Sequence, residues 1–198
     1  MNYKIAYDKA RNLLKEMDKN EVCRFAGARE EKNHIILNYF TDECRITLPE
    51  ISFSPDNYSI EEKILILHYL TSKGETHRVP KWVTFKNLPG ASFYEPTYRK
   101  RGPEIILKGL GSEPERLLSV AVALGGVREE FGDISVRIRV FPKIDSIVVL
   151  NRGDEEFPPE CNILYPDWIH AFLPLEDIAF LATAIAKRIL KSASTSRR

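Results

Sequence analysis

The stretch Ser59-Ile60-Glu61-Glu62-Lys63-Ile64-Leu65-Ile66-Leu67-His68-Tyr69-Leu70 decides how the rest of the chain is arranged. Ser59 and Glu62 have the spacing of a capping box. In that motif the hydroxyl accepts a hydrogen bond from the glutamate N–H, and the carboxylate reaches back to the serine N–H. A helix is therefore predicted to begin here, and Gly74 is predicted to end it.

The middle of this helix is apolar on nearly every side when its residues are plotted at 100° each. The exception is a narrow stripe formed by Glu61, His68 and Ser72. A helix of this composition is predicted to lie in the middle of the core, covered on most of its faces. His68 is then either a residue that faces a ligand or a hydrogen-bonded histidine at the edge of the core. The sequence leaves both interpretations open.

Strand patterns and helix patterns come in clusters on both sides of this helix. Apolar runs predict strands at 34–40, 44–48, 51–53, 82–85, 134–140 and 146–150, and from about 161. Helical spacing predicts helices over 3–18, 59–74, 114–124 and 174–191. Residues 103–110 are a candidate for a further, short helix. The clusters lack regular βαβ alternation, which favours an α+β fold with a mostly antiparallel, mixed sheet and about four helices. One of these is the buried central helix and another is the amphipathic helix near the C-terminus. A single domain is predicted over 1–192, followed by a disordered tail at 193–198.

Composition excludes several classes of protein. The 198 residues are 43% hydrophobic and 29% charged, which is typical of a soluble globular protein. The net charge of +1 gives no support to wholesale binding of nucleic acid or of an anionic membrane. The first residues lack the apolar core of a signal peptide, and no apolar run approaches the ~20 residues that span a bilayer. The predicted location is the cytoplasm.

The three cysteines, Cys23, Cys44 and Cys161, stand far apart and form no CxxC pair. In a reducing cytosol they are predicted to be unpaired thiols, with Cys44 and Cys161 inside strands, rather than metal or redox groups. The sequence also lacks a GxSxG motif. Cys161 and His170 are the only cysteine and histidine within easy reach of each other, and they could meet only if the chain between them folded back. No catalytic residue is assigned.

An acidic loop is predicted at 153–160, between the strand that ends near residue 150 and the one that starts near 161. Its carboxylates, Asp154, Glu155, Glu156 and Glu160, are candidates for binding a ligand or a partner. Crowded carboxylates raise one another's pKa or bind a hard divalent cation, and Asp167 and His170 would join them in an enzyme. The spacing does not match an EF-hand or a zinc site. The alternative is a loop whose charges are simply solvated.

A second candidate segment, 93–101, brings aromatic residues next to three consecutive cations. Aromatic rings beside cations suit a loop that stacks on a ring or binds an anion. The candidate binding residues here are Tyr94, Arg99 and Arg101. The alternative is a solvated run of charge on a loop that its aromatic residues hold in place.

The predicted C-terminal helix has acids in its first turn and Lys187, Arg188 and Lys191 in its last, as the helix dipole favours. Phe180 does not fit this pattern, because it projects from the polar face beside Thr183. It is predicted to be covered by a loop or to meet a partner.

Several of these segments together resemble the domain-of-unknown-function family 3786, which occurs largely in anaerobic bacteria and archaea. The resemblance is carried by Ile64–Leu70, Trp82–Phe85, Phe141-Pro142, Gly153–Pro158, Asn162–Leu164 and Leu173–Asp177, of which Gly-Asp-Glu-Glu-Phe-Pro is the most distinctive. It covers nearly the whole chain and implies no activity. Some relatives carry a cysteine-rich iron–sulfur segment, which implies that members of the family act together with iron–sulfur or corrinoid proteins. This chain departs from those relatives, since it has no closely spaced cysteines to hold a cluster.

These observations favour a non-catalytic accessory protein of anaerobic metabolism that binds a ligand or a protein partner. The acidic loop and the segment from Arg99 to Arg101 would form complementary halves of its recognition surface. The alternative is an enzyme assisted by a divalent metal held in the 154–160 loop. A nucleic-acid binder that uses Phe93 to Arg101 is the weakest hypothesis, because the net charge is close to zero.

Overall fold

The computed structural model describes residues 3–75 and 79–195 and shows an α+β architecture. Its helices are α1 (Tyr3–Glu16), α2 (Lys19–Ala26), α3 (Ile60–Thr71), α4 (Glu95–Arg101), α5 (Pro103–Leu110), α6 (Arg116–Ala123) and α7 (Leu175–Thr195). Its strands are β1 (Arg29–Glu31), β2 (His34–Tyr39), β3 (Asp42–Thr47), β4 (Ser52–Ser54), β5 (Trp82–Thr84), β6 (Val127–Glu129), β7 (Ile134–Phe141), β8 (Ile144–Asn151) and β9 (Glu160–Pro166). Short 3₁₀ turns span Phe85–Asn87, Ala91–Tyr94 and Ile169–Ala171.

The strands form two sheets, where the sequence predicted one mixed sheet. The first is a meander in the order β1-β2-β3-β4, and the second has the order β5-β9-β8-β7-β6. Every pairing between these strands is antiparallel, so the prediction of a mostly antiparallel arrangement is confirmed and the mixed part is wrong. The Phe40 N–H donates to the Val140 carbonyl at 2.9 Å, which joins the two sheets at one point. Local alternation predicts strands but cannot show whether two distant meanders pair.

Helix α3 lies in the core, as predicted. Its capping box is present: the Glu62 N–H donates to Ser59 Oγ at 3.3 Å, and the Ser59 N–H donates to Glu62 Oε2 at 3.0 Å. Six of its side chains are buried, namely Ile64, Leu65, Ile66, Leu67, Tyr69 and Leu70. Burying one large apolar side chain contributes about 1.5–3 kcal/mol, so this helix is a main source of the stability of the fold. It ends at Thr71, before the predicted stop at Gly74.

Tyr69 attaches α3 to both neighbouring layers. Its hydroxyl donates to the Ala26 carbonyl at the end of α2 (2.7 Å) and accepts from the Lys143 N–H in the turn between β7 and β8 (3.2 Å). Its ring stacks on Phe141 with centroids 4.1 Å apart. Because this buried tyrosine satisfies its hydroxyl and packs its ring, it fixes the orientation of α3 against the second sheet.

The described residues contain seven α-helices, and the prediction of about four is too low. Helix α2 has no counterpart among the predicted helices: Asp18 caps it by accepting from the Glu21 N–H at 2.9 Å, and Gly27 ends it in the left-handed conformation. Helix α4 replaces the loop predicted at 93–101. Both are short, eight and seven residues, so they offer too little periodicity to be recognised.

Helix α7 runs four residues beyond its predicted end. Residues 193–195 are helical rather than a disordered tail, and 196–198 lie outside the described residues. Arg116 of α6 donates to the Ala193 carbonyl at 3.0 Å, and this contact supplies a partner for a backbone group at the helix end. Because α7 continues to Thr195, its last turn contains no basic residue. Lys187, Arg188 and Lys191, which were predicted to lie in that turn, are further inside the helix.

Within residues 3–75 and 79–195, no helix has the length and apolar character that crossing a membrane requires. The three cysteines are free and buried, with Cys44 in β3 and Cys161 in β9, as predicted.

Candidate functional site

The acidic loop is exposed along its whole length, from Arg152 to Glu160. Asp154 shapes it: one carboxylate oxygen accepts from the Phe157 N–H at 2.7 Å and from the Glu156 N–H at 2.9 Å. These two hydrogen bonds hold the pKa of Asp154 below its ordinary value. Position 153 requires glycine, because the backbone there lies so close to Pro159 that a Cβ would be 2.7 Å from Pro159 Cδ. Asp154 therefore has a structural role in forming this turn.

The acidic loop and the 93–101 segment meet at one point. Arg99 Nη1 lies 3.5 Å from Glu160 Oε1 and 3.5 Å from Asn162 Oδ1, and 3.8 Å from Glu95 Oε1 one turn earlier. Glu155 and Glu156 extend into solvent. The structure thus brings Arg99 and Glu160 together, but places the other loop carboxylates away from the cations.

The aromatic residues of the 93–101 segment separate into two groups. Phe93 and Tyr94 are 95% and 50% exposed, whereas Tyr98 is buried and stacks on Phe85 with centroids 4.0 Å apart. The Tyr98 hydroxyl lies 3.2 Å from that of Tyr165, and burial raises the pKa of both phenols. Tyr98 therefore anchors α4 on β9 and is not available for stacking on a ligand.

His68 is hydrogen-bonded at the edge of the core. Its Nδ1 atom lies 2.6 Å from Oδ2 of Asp177 in the first turn of α7, whose side chain is only 5% exposed. His68 and the exposed His170 line the same shallow groove of about 340 Å³, together with the chain from Ala171 to Pro174. Two of the predicted binding residues are therefore brought to one surface.

Cys161 has no features of a nucleophile. Its side chain is fully buried in β9, and burial raises the pKa of the thiol to about 12. His170 is exposed in the 3₁₀ turn that follows the strand. Because one group is buried and the other faces solvent, they do not share an accessible site.

A cleft of about 270 Å³ lies between α1, α3, α4, α5 and α7. We call it the Phe180 cleft. Its floor is apolar and is built by Leu65, Ile105, Phe180 and Ala184. Tyr3 of α1 meets the Phe180 ring edge-on with centroids 5.9 Å apart, which explains an aromatic residue on the polar face of α7.

Cations surround the opening of the Phe180 cleft. Lys100 and Arg101 end α4, Lys187 lies two turns after Phe180, and the Arg101 guanidinium carbon is 6.0 Å from the centre of the Phe180 ring. Within residues 3–75 and 79–195, none of these three cations has a carboxylate within ion-pair distance. A cluster of unpaired cations beside an aromatic floor can attract an anion that also carries an apolar group.

Gly102, at the end of α4, allows α4 to lie close to α7. A Cβ built on Gly102 would lie 2.6 Å from the Cβ of Ala182, closer than real side chains approach. Only glycine allows the two helices to come this near, and this contact places Arg101 next to Phe180. Of the predicted binding residues, Arg101 alone lines the Phe180 cleft.

Sequence reasoning missed Tyr3, Glu61 and Lys187 as lining residues, and it included Lys100 only as part of the segment from Arg99 to Arg101. One signal pointed to the region: Phe180 stood on the polar face of its helix with no local explanation. The other lining residues lie on helices whose mutual packing is not encoded in any local pattern.

The carboxylates of the acidic loop are not gathered around a common point. In the part of the chain that the structure describes, no three histidine, cysteine, aspartate or glutamate side chains are grouped so that they could hold a metal ion. The metal-assisted enzyme stays a hypothesis, and no contact between the loop carboxylates favours it.

The fold and the cleft define an α+β protein with two antiparallel sheets and a charged cavity between helices. The chain belongs to the family described as Domain of unknown function (DUF3786), whose sequence model matches residues 18–188. Comparison with curated proteins and with solved structures gives no match.

Proposed function

We propose that this protein is a non-catalytic binding protein that holds a small ligand with an anionic group in the Phe180 cleft. The observation that carries this proposal is the set of three cations, Lys100, Arg101 and Lys187, that surround an apolar floor without ion-pair partners in the described chain. Here helix packing concentrates them at one opening.

The shape of the Phe180 cleft supports a small ligand. Its volume of about 270 Å³ lies just below the ~300–1,000 Å³ typical of ligand pockets, which suits a ligand smaller than a drug-sized molecule. The apolar floor would bury a ring or an alkyl group, and the cations would bind a carboxylate or phosphate. This combination of a largely apolar lining with a few charged groups is what small-molecule sites require.

The setting of this binding function is part of the proposal. We place the protein in the cytoplasm of an anaerobe, as an accessory to an iron–sulfur or corrinoid protein. The support is the resemblance to this family, some relatives of which carry a cysteine-rich iron–sulfur segment. Ligand binding in the Phe180 cleft would then regulate or report on that partner.

Titration calorimetry with 3-phenylpropanoate, which joins a ring to a carboxylate, tests the proposal. The wild-type protein is expected to bind it, and Arg101→Ala and Phe180→Ala are each expected to weaken binding about tenfold or more. Arg128→Ala is the matched control, because Arg128 is also an exposed arginine without an ion-pair partner among the described residues. If the wild type gives no binding heat, or if Arg128→Ala weakens binding as much as Arg101→Ala, the proposal is wrong.

A further inference from the structure

We infer that the ligand of the Phe180 cleft is a zwitterion with a large apolar group, of the class of free α-amino acids with an aromatic side chain. This inference rests on the proposed function and names the ligand class of the same site. Its basis is a carboxylate, that of Glu61, which lines the cleft together with the three cations.

Glu61 lines the Phe180 cleft, and its carboxylate is unpaired among the described residues. It is half-buried in the first turn of α3, and it has no hydrogen-bond or ion-pair partner among residues 3–75 and 79–195. Three long, flexible cationic side chains line the same cavity, yet none comes within 4.0 Å of it. Charges of both signs therefore face one small space without neutralising each other.

The carboxylate of Glu62, the neighbouring acid, already has hydrogen-bond partners within the protein. Its Oε2 atom accepts from the Ser59 N–H at 3.0 Å, and its Oε1 atom lies 3.5 Å from the Tyr39 hydroxyl. It is thus committed to capping α3 and to the core. This leaves Glu61 as the carboxylate in the lining that is free to accept from a ligand.

A ligand with a single negative charge would not explain Glu61. Its carboxylate would repel such a ligand and lower the affinity that the cations provide. An ammonium group on the same ligand changes the sign of this interaction, because it can donate charge-assisted hydrogen bonds to Glu61. The carboxylate of an α-amino acid would lie near Arg101 while its ammonium group reaches α3.

The floor of the Phe180 cleft selects the side chain. A carboxylate bound near Arg101 places the rest of the ligand over the Phe180 ring, which is 6.0 Å from the guanidinium carbon. Leu65 and Ile105 extend this apolar surface, and Tyr3 also lines the cleft in edge-to-face contact with Phe180. Aromatic rings favour such edge-on and offset contacts, so an aromatic side chain suits this floor.

The experiment compares three probes that share a phenyl ring: L-phenylalanine, 3-phenylpropanoate without the ammonium group, and 2-phenylethylamine without the carboxylate. By titration calorimetry the wild type is expected to bind L-phenylalanine about tenfold or more tightly than either analogue. Glu61→Gln is expected to remove the preference for L-phenylalanine over 3-phenylpropanoate. Glu104→Gln, which changes a half-buried, unpaired acid in the first turn of α5, is expected to keep it.

The outcomes separate this inference from the proposed function. If 3-phenylpropanoate binds through Arg101 as tightly as L-phenylalanine, the proposed function stands and the zwitterion inference is wrong. If Glu61→Gln still prefers L-phenylalanine over 3-phenylpropanoate, and a thermal melt shows that the variant is folded, the zwitterion inference is again wrong and the proposed function stands. If none of the three probes binds to the wild type, both the inference and the proposed function fail.

Discussion

The Nδ1 atom of His68 lies 2.6 Å from Oδ2 of Asp177, and the two residues are separated by 109 positions in the sequence. The bond attaches the C-terminal part of the buried helix α3 to the first turn of α7. The carboxylate is almost completely buried, whereas the imidazole is 30% exposed. The first turn of α7 also provides backbone N–H groups, whose dipoles stabilise a negative charge at Asp177.

Asp177→Ala is expected to lower the free energy of unfolding by roughly 1–3 kcal/mol, because it leaves a half-buried imidazole without its acceptor. The matched control is Glu176→Ala, which removes an exposed acid from the same helical turn and should cost about 0.5 kcal/mol. Urea denaturation measures both values. Equal losses in the two variants would show that the bond to His68 contributes nothing beyond the helix dipole.

Gly102→Ala is expected to destabilise the protein by roughly 1–3 kcal/mol, because the added methyl group overlaps Ala182 on α7. The double variant Gly102→Ala/Ala182→Gly restores the space, so its loss should be smaller than the sum of the two single losses. Thermal or urea unfolding of the four proteins gives this coupling. Additive losses would mean that the two helices do not depend on this contact.

The turn at Asp154 is expected to depend on pH in acid. Its folded pKa lies below the ordinary value of 3.8, so the ionised carboxylate stabilises the turn at pH values above the unfolded pKa. This contribution is lost as the pH falls through the folded pKa. The amide NMR shifts of Glu156 and Phe157 should move together with a midpoint below 3.8. A midpoint at or above that value would contradict the two hydrogen bonds.

Cys44 and Cys161 are expected to resist alkylation in the folded protein. Burial raises the pKa of each thiol to about 12, so at pH 8 roughly one in ten thousand is ionised. Mass spectrometry after a pulse of iodoacetamide should find both unmodified, and both fully modified in urea. Cys23→Ser removes the less deeply buried thiol from the measurement. Rapid labelling of Cys161 in the folded variant would reopen its candidacy as a nucleophile.

Much of the fold could be predicted because several elements are determined by their own residues. The capping box at Ser59 and Glu62 sets the start of α3, and the alternation from Ile134 to Val140 defines β7 together with its buried face. The hairpin between β7 and β8 turns at Pro142, as its sequence indicates. These signals lie within a few residues of the structure they cause.

The rest could not be predicted because it depends on contacts between distant segments. Helix α4 forms where Tyr98 packs on Phe85 and Tyr165, and neither partner lies within its own seven residues. The Phe180 cleft joins side chains from five helices, so the sequence does not show that Lys187 and Glu61 lie beside Lys100 and Arg101. Two features of the Phe180 cleft could be recognised from the sequence: the unusual position of Phe180 on a polar helix face, and Arg101 as a candidate binding residue. The role inferred for Glu61 required the structure.

The burial of α3 also constrains the order in which the protein can be completed during synthesis. Tyr69 stacks on Phe172 with centroids 5.9 Å apart, and His68 forms a hydrogen bond with Asp177. Both partners are more than a hundred residues further along the chain. Part of the apolar surface of α3 therefore stays exposed until the ribosome has made them. An apolar segment exposed for that time is prone to aggregate or to bind a chaperone. Truncated chains that stop before α7 should therefore be poorly soluble, even though they contain both sheets.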